Sequence, residues 1–227
     1  MVSREVNAQH IFLIKNIKDN ILVTSEHKSG EEICIMTSHY LVVGGTGMLS
    51  GVVKDLIKRG NVVSIVSRGE EKFRNLIEIL GTKNLHHLSC DYHDIENLKV
   101  QLKNHTENIG FFDFSLCWVH EPSEMNVCSV AVEFTKNSLW HIVGSSLADP
   151  SEPEKISHIL SFFHKNHPNI EFRLIILGFV IDSRLNSNKS RWLSNIEISD
   201  GINVALKNDI TVNIIGTTVP WSLQPGF

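Results

Sequence analysis

"HYLVVGGTGMLSGVVKDLIKRGNVVSIVSRGEE", residues 39–71, decides how the rest of the chain is read. An apolar run at 40–44 breaks into a glycine cluster. Beyond it, Met48, Val52, Val53, Leu56 and Ile57 recur at helical spacing over 48–59. Gly60 stands where a helix ends, and a second apolar run follows at 62–67. Strand, glycine turn, helix, strand is the opening of a βαβ unit.

The alternation continues outward from this stretch. Further strand candidates are 85–90, 111–118, 139–145, 171–180 and 211–216. Helix candidates lie between them at 70–80, 94–107, 122–137, 153–166 and 196–207. Pro122 and Pro153 sit at first-turn positions, Gly81 closes the second helix, and "SNIE" at 194–197 is a capping box. The strands are nearly continuous in apolar residues, as strands covered on both faces must be. With right-handed crossovers the expected fold class is α/β: a Rossmann-type doubly wound parallel sheet with helices on both faces. No internal repeat, low-complexity segment or interdomain linker interrupts 36–227, which reads as a single domain.

Residues 1–35 do not join this pattern. Their apolar runs are short and have no evident partner, and Met36 lies just ahead of the first strand. Gly30-Glu31-Glu32 would be encoded by a purine-rich run like a bacterial ribosome-binding sequence. Two readings stand: a translated leader before a start at Met36, or an N-terminal extension that adds an edge hairpin or an oligomer arm.

The bulk numbers exclude several classes. A net charge of −4 gives no pull toward nucleic acid or an anionic membrane surface. No apolar run approaches the roughly 20 residues that span a bilayer. "IFLI" at 11–14 is too short for a secretion signal and is followed by Lys15 and Lys18. Cysteines at 34, 90, 117 and 128 lack CxxC spacing, and three fall in apolar segments, so buried free thiols in a reducing cytoplasm are expected. Neither His86–His87–His93 nor His158–His164–His167 has a companion Cys or carboxylate pattern, and no metal is expected.

The glycine cluster carries the first chemistry. Gly44 allows a sharp turn out of the strand. Gly47 lets backbone come close to a pyrophosphate at the helix N-terminus, where free N–H groups and the dipole favour an anion. Ser50, with Gly51 beside it, takes the place of the third glycine. Gly44, Thr46, Gly47 and Met48 therefore form the candidate phosphate cradle. An NAD site has a carboxylate about 20 residues further on. Here that place holds Ser67 followed by Arg68, which can pair with a 2′-phosphate, so NADP is the expected cofactor rather than NAD. A methyltransferase-like domain fits worse, since it would need an acid there for a ribose diol.

"LVVGGTGMLSG", "SRGEEK" and "CDYHD" at 90–94 together resemble the short-chain dehydrogenase/reductase family, with "LGFVID" and "ISDGINVAL" resembling its later segments. The likeness covers about 39–221 and suggests a small, divergent bacterial branch. It implies that Asp91, with Tyr92 beside it, meets the adenine ring. It implies that Ser145 or Ser146, in "HIVGSSLADP", is the catalytic serine. It also implies a small-molecule substrate, a lid over 183–195 with Trp192 as its one large apolar group, and association into a homo-oligomer through helices flanking the fourth and fifth strands.

The departures are as informative. Trp118 and His120, in "DFSLCWVH", replace the small residues of the family's Asn-Asn-Ala-Gly motif. The Tyr-x-x-x-Lys pair has no counterpart, since the two tyrosines, Tyr40 and Tyr92, both precede the fifth strand. Ser161-x-x-x-Lys165 keeps only the spacing. His158, near the missing Tyr, has a side chain that titrates near neutrality and could supply a proton. Two functions remain: an NADP-dependent oxidoreductase with a degenerate catalytic site, or a non-enzymatic NADP(H)-responsive binding protein.

Overall fold

The computed structural model describes residues 37–81, 83–119, 124–182 and 189–226. The expected extension or leader over 1–35 lies outside them, as do His120, Pro122 and residues 183–188 of the expected lid.

Seven parallel strands form one sheet. In chain order they are β1 (His39–Val43), β2 (Val62–Ser67), β3 (Leu85–Ser89), β4 (Phe112–Trp118), β5 (Thr135–Gly144), β6 (Glu171–Leu177) and, after a separate hairpin, β9 (Val212–Ile215). Their spatial order is β3-β2-β1-β4-β5-β6-β9. The hairpin pairs β7 (Phe179–Asp182) with β8 (Lys189–Trp192) antiparallel. The helices are α1 (Ser50–Lys58), α2 (Glu70–Leu80), α3 (Ile95–Ile109), α4 (Glu124–Val132), α5 (Lys155–Asn166) and α6 (Asn195–Ala205).

The sheet has a core on each face, which is why its strands read as unbroken apolar runs. On one face Val52, Val53 and Leu56 of α1, Phe73 and Leu76 of α2, and Ile198 and Ile202 of α6 pack on Val42, Ile65 and Leu116. On the other, Leu98 and Leu102 of α3, Val127 of α4 and Phe163 of α5 pack on Leu41, Cys117 and Leu139. This is the doubly wound arrangement expected from the alternation.

Most expected elements recur within two residues of their ends, and β2 and α2 match throughout. Two do not. The fourth helix stops at Val132 rather than 137, and β5 begins at Thr135 rather than 139. The expected strand at 171–180 ends at Leu177, where Gly178 lies against the Thr217 backbone and the chain leaves for the hairpin. The capping box at 194–197 is present: Ser194 Oγ accepts from the Glu197 amide, and the Glu197 carboxylate accepts from the Ser194 amide. Cys90, Cys117 and Cys128 are buried and in no disulfide. Among the described residues, no helix is long and apolar enough to cross a membrane.

Candidate functional site

Successive strands step outward from β1 in one direction and from β4 in the other. Between them is the switch point where open α/β sheets leave a crevice beyond the strand ends. The two strand ends touch here. Gly44 has φ +81°, and a Cβ on it would lie 2.7 Å from the Trp118 carbonyl oxygen. Both facts exclude a side chain. The loop is laced by Gly44 N–H donating to Val66 O (3.1 Å), Gly47 N–H to Gly44 O (3.3 Å) and Ser50 N–H to Gly47 O (3.0 Å).

Gly47 differs from Gly44. It is exposed, its φ is not in the left-handed region, and a Cβ would meet nothing nearer than Gly44 O at 3.9 Å. Among the described residues, nothing requires glycine there. α1 starts just beyond, with no side-chain cap at Leu49 and no acid in its first turn, so its amide dipoles are not offset by a nearby carboxylate. Thr46 and Met48 flank Gly47, half-buried. Gly51, expected to help helix and strand pack, instead lets α1 approach Ser199 of α6, and Gly45 fills the strand–helix gap among Val42, Ile65 and Val53.

A second polar group gathers at the tips of β2 and β3. The Arg68 side chain is 64% exposed, 3.8 Å from Asp91 Oδ2, with its guanidinium 6.0 Å from the Tyr92 ring centre. Asp91 Oδ1 accepts from the His93 amide (3.0 Å) and bonds His93 Nδ1 (2.7 Å). The His93 amide and ring, with Arg68 adding less, hold the Asp91 carboxyl below its ordinary range. Tyr92 is buried beneath this group. Ser67 requires a correction. It was expected to face a phosphate, but it is 6% exposed and its hydroxyl bonds His87 Nε2 at 2.9 Å. It therefore anchors β2 to β3, and Arg68 alone of the pair faces outward.

The expected histidine set 86–87–93 is dispersed. His86 faces His105, His87 stacks on Phe73 and bonds Ser67, and His93 serves Asp91. Among the described residues, no three His, Cys, Asp or Glu side chains gather as metal ligands.

At the end of β5, Ser145 and Ser146 open a 3₁₀ turn (Ser145–Ala148). Ser146 is exposed, and Ser145 is only 4% exposed. Gln224, in the C-terminal tail, donates from Nε2 to Ser145 Oγ at 2.9 Å. That residue was not foreseen, since it lies 79 positions away in a stretch without periodicity. His158 is exposed on α5, whose buried contacts come from Phe163, Ile156, Ile159 and Leu160, and the structure does not bring it into the Ser145 bond. Of the two tyrosines, Tyr40 lies tilted against Phe114 and Tyr92 lies under Arg68, so neither supplies the missing phenol beside Ser145.

The sequence matches no known family model and no curated protein. Solved structures do match. The fold is that of the short-chain dehydrogenases/reductases. An alcohol dehydrogenase from Thermococcus sibiricus, complexed with 5-hydroxy-NADP, superposes with TM-score 0.58 at 15% identity, over 80% of this chain and 96% of that one. A metagenomic short-chain oxidoreductase in complex with NADP gives 0.60 at 12%, over 80% and 98%. A short-chain dehydrogenase/reductase from Mycobacterium ulcerans gives 0.62 at 14%, over 79% and 88%. At such identities the likeness establishes the fold, while the site must be argued from this chain's residues.

Proposed function

We propose that the chain is a short-chain dehydrogenase/reductase-like protein that binds NADP(H) across the ends of β1, β2 and β3, with a degenerate catalytic site. The observation that carries this is Gly47. An exposed glycine that neither packing nor dihedral angle requires, at the mouth of an uncapped helix, is accounted for by close approach of an outside anion. Gly44, Thr46, Gly47 and Met48 would hold the pyrophosphate. Arg68 would turn from its 3.8 Å pairing with Asp91 to a 2′-phosphate, while Asp91 and Tyr92 border the adenosine. Solved relatives of the same fold carry NADP or 5-hydroxy-NADP, which agrees with the choice of cofactor.

When bound, a nicotinamide supplies or accepts a hydride. This chain's own part is narrower. Trp118 walls the crevice beside Gly44, Ser145 offers a hydroxyl at the end of β5, and Ser146 and His158 are the remaining candidates for moving a proton. Without a phenol there, a general acid worth typically 10²–10⁴ in rate is missing. A non-enzymatic, NADP(H)-responsive role is therefore the second reading, and the sealed Ser145 favours it. A small-molecule substrate, a cytoplasmic location and a homo-oligomer built through α4 and α5 belong to the first reading.

A fluorescence titration of the purified protein with NADPH, NADH and S-adenosylmethionine tests the cofactor assignment. Tighter binding of NADPH than of NADH is expected. Equal affinity for the two, or binding of S-adenosylmethionine alone, would overturn it.

A further inference from the structure

The C-terminal tail returns to the sheet in an ordered way. Thr217 pairs with Phe179 through N–H···O bonds of 2.9 Å in both directions. A short 3₁₀ turn, Trp221–Leu223, follows, and the Leu223 carbonyl accepts from Ser190 Oγ on β8. This fixes Gln224 beside Ser145. The amide nitrogen of Gln224 is used on Ser145 Oγ at 2.9 Å, while its other polar atom, Oε1, is buried with no hydrogen-bond partner among the described residues. A buried acceptor left without a donor is costly, and native structures rarely keep one without a use.

From these contacts we infer that Gln224 is a specificity-determining residue, forming with Ser145 a two-point site for a carbonyl compound that carries a hydroxyl or N–H next to its carbonyl. This rests on the proposed catalytic reading of Ser145. Because Ser145 Oγ accepts from Gln224, its own O–H is directed elsewhere and is polarised as a donor. A ligand carbonyl oxygen accepts that proton. The neighbouring hydroxyl or N–H donates to Gln224 Oε1 and satisfies the orphaned acceptor. Ser145 is only 4% exposed, so the ligand enters as residues 221–225 lift, and the same residues close over it.

The test uses ligand-observed NMR binding on the full chain, without cofactor, with hydroxyacetone, methoxyacetone and acetone as probes. Hydroxyacetone presents both acceptor and donor, methoxyacetone has lost the donor, and acetone has only the carbonyl. Wild type is expected to favour hydroxyacetone by about tenfold, the scale of one satisfied buried hydrogen bond. Gln224→Met, which keeps size without polarity, should abolish that preference, and Ser145→Ala should weaken all three probes. Circular dichroism establishes that each variant is folded; if Gln224→Met is not, Gln224→Ala takes its place. No preference in the wild type, or an unchanged preference after Gln224→Met, would overturn the inference. The NADPH titration is independent: failed cofactor binding with an intact hydroxyacetone preference would sink the cofactor reading and leave this one standing.

Discussion

The two halves of the sheet end differently. Beyond β1–β3 the loops are open: Gly47 is exposed, α1 has no side-chain cap, and Arg68 is largely in solvent, 3.8 Å from Asp91 and over the Tyr92 ring. Beyond β4–β6 the ends are covered: Trp118 presses on Gly44, and Ser145 is buried under the carboxamide of Gln224. The proposed dinucleotide site asks for backbone amides and one cation, and the first half presents both. A proton relay needs several side chains at fixed distances, and neither tyrosine of the chain stands beside Ser145 in the second half. On the proposed reading, binding and catalysis draw on different strand ends, so one can be kept without the other.

The largest expected effect separates two glycines of one loop. Gly47→Val should leave the protein folded, since its Cβ meets only Gly44 O at 3.9 Å, yet abolish NADPH binding by placing a branched side chain against the pyrophosphate. Gly44→Val should instead unfold or strongly destabilise the chain. A residue held at φ +81° costs about 1–3 kcal/mol, and the Trp118 carbonyl 2.7 Å away adds a backbone clash. Thermal unfolding and NADPH titration of both variants decide this. If Gly47→Val bound NADPH normally, the open half would not be the binding half.

Next in size is Arg68→Asp. It removes one charged hydrogen-bond donor and sets a carboxylate against the 2′-phosphate. Charged hydrogen bonds contribute roughly 1.5–3 kcal/mol, so NADPH affinity should fall about tenfold or more. NADH, which has no phosphate to repel, should be little affected. An equal loss for both cofactors would mean that Arg68 supports the fold near Asp91 rather than reading the phosphate.

The contrast also explains what the sequence disclosed. The open half was legible as structure because its features are local: a glycine turn, a helix start, and a cation one residue past a strand. The covered half was not. β5 begins four residues early because Thr135 and Ser138 are polar strand residues buried with partners, Ser115 Oγ at 2.7 Å and the Glu171 carboxylate at 3.0 Å. Hydropathy cannot anticipate such pairing. Ser67 was expected to face a phosphate, yet its hydroxyl is spent on His87 across the strands. Gln224 reaches Ser145 from 79 residues away, held by a tail whose course depends on the hairpin. Local patterns reveal local sites, whereas a site assembled from distant segments leaves no periodic trace.

A further effect sharpens the comparison through pH. His39 Nε2 and His105 Nε2 both bond Ser64 Oγ, at 2.8 and 2.7 Å, under the β1–β3 half. Burial, then the neighbouring His105 and His86, pushes His39 down to about 4; burial and His86 do the same to His105. Both are neutral when folded, but in the unfolded chain they take up protons below about 6.5. Unfolding then absorbs protons, so their contribution to stability is complete above about pH 6.5 and is lost as pH falls toward 4. The urea midpoint should drop across that window, and His105→Gln should flatten the drop. A midpoint independent of pH between about 6.5 and 4 would contradict the assignment.

The smallest expected effects concern catalysis. NADPH should bind while turnover of ordinary aldehydes and ketones stays negligible, because no phenol stands near Ser145 and the serine is covered. Within whatever residual oxidation of NADPH a carbonyl panel reveals, Ser145→Ala should remove most, since that hydroxyl is the buried, directed donor. Ser146→Ala and His158→Ala should change little, because both residues are exposed and the Gln224 contact passes them by. A dominant loss on His158→Ala would mean that α5 swings its imidazole inward when ligand binds. Brisk turnover untouched by all three changes would show that the covered half had been misjudged. The proton would then have to come from the chain segment after Trp118, where His120 lies.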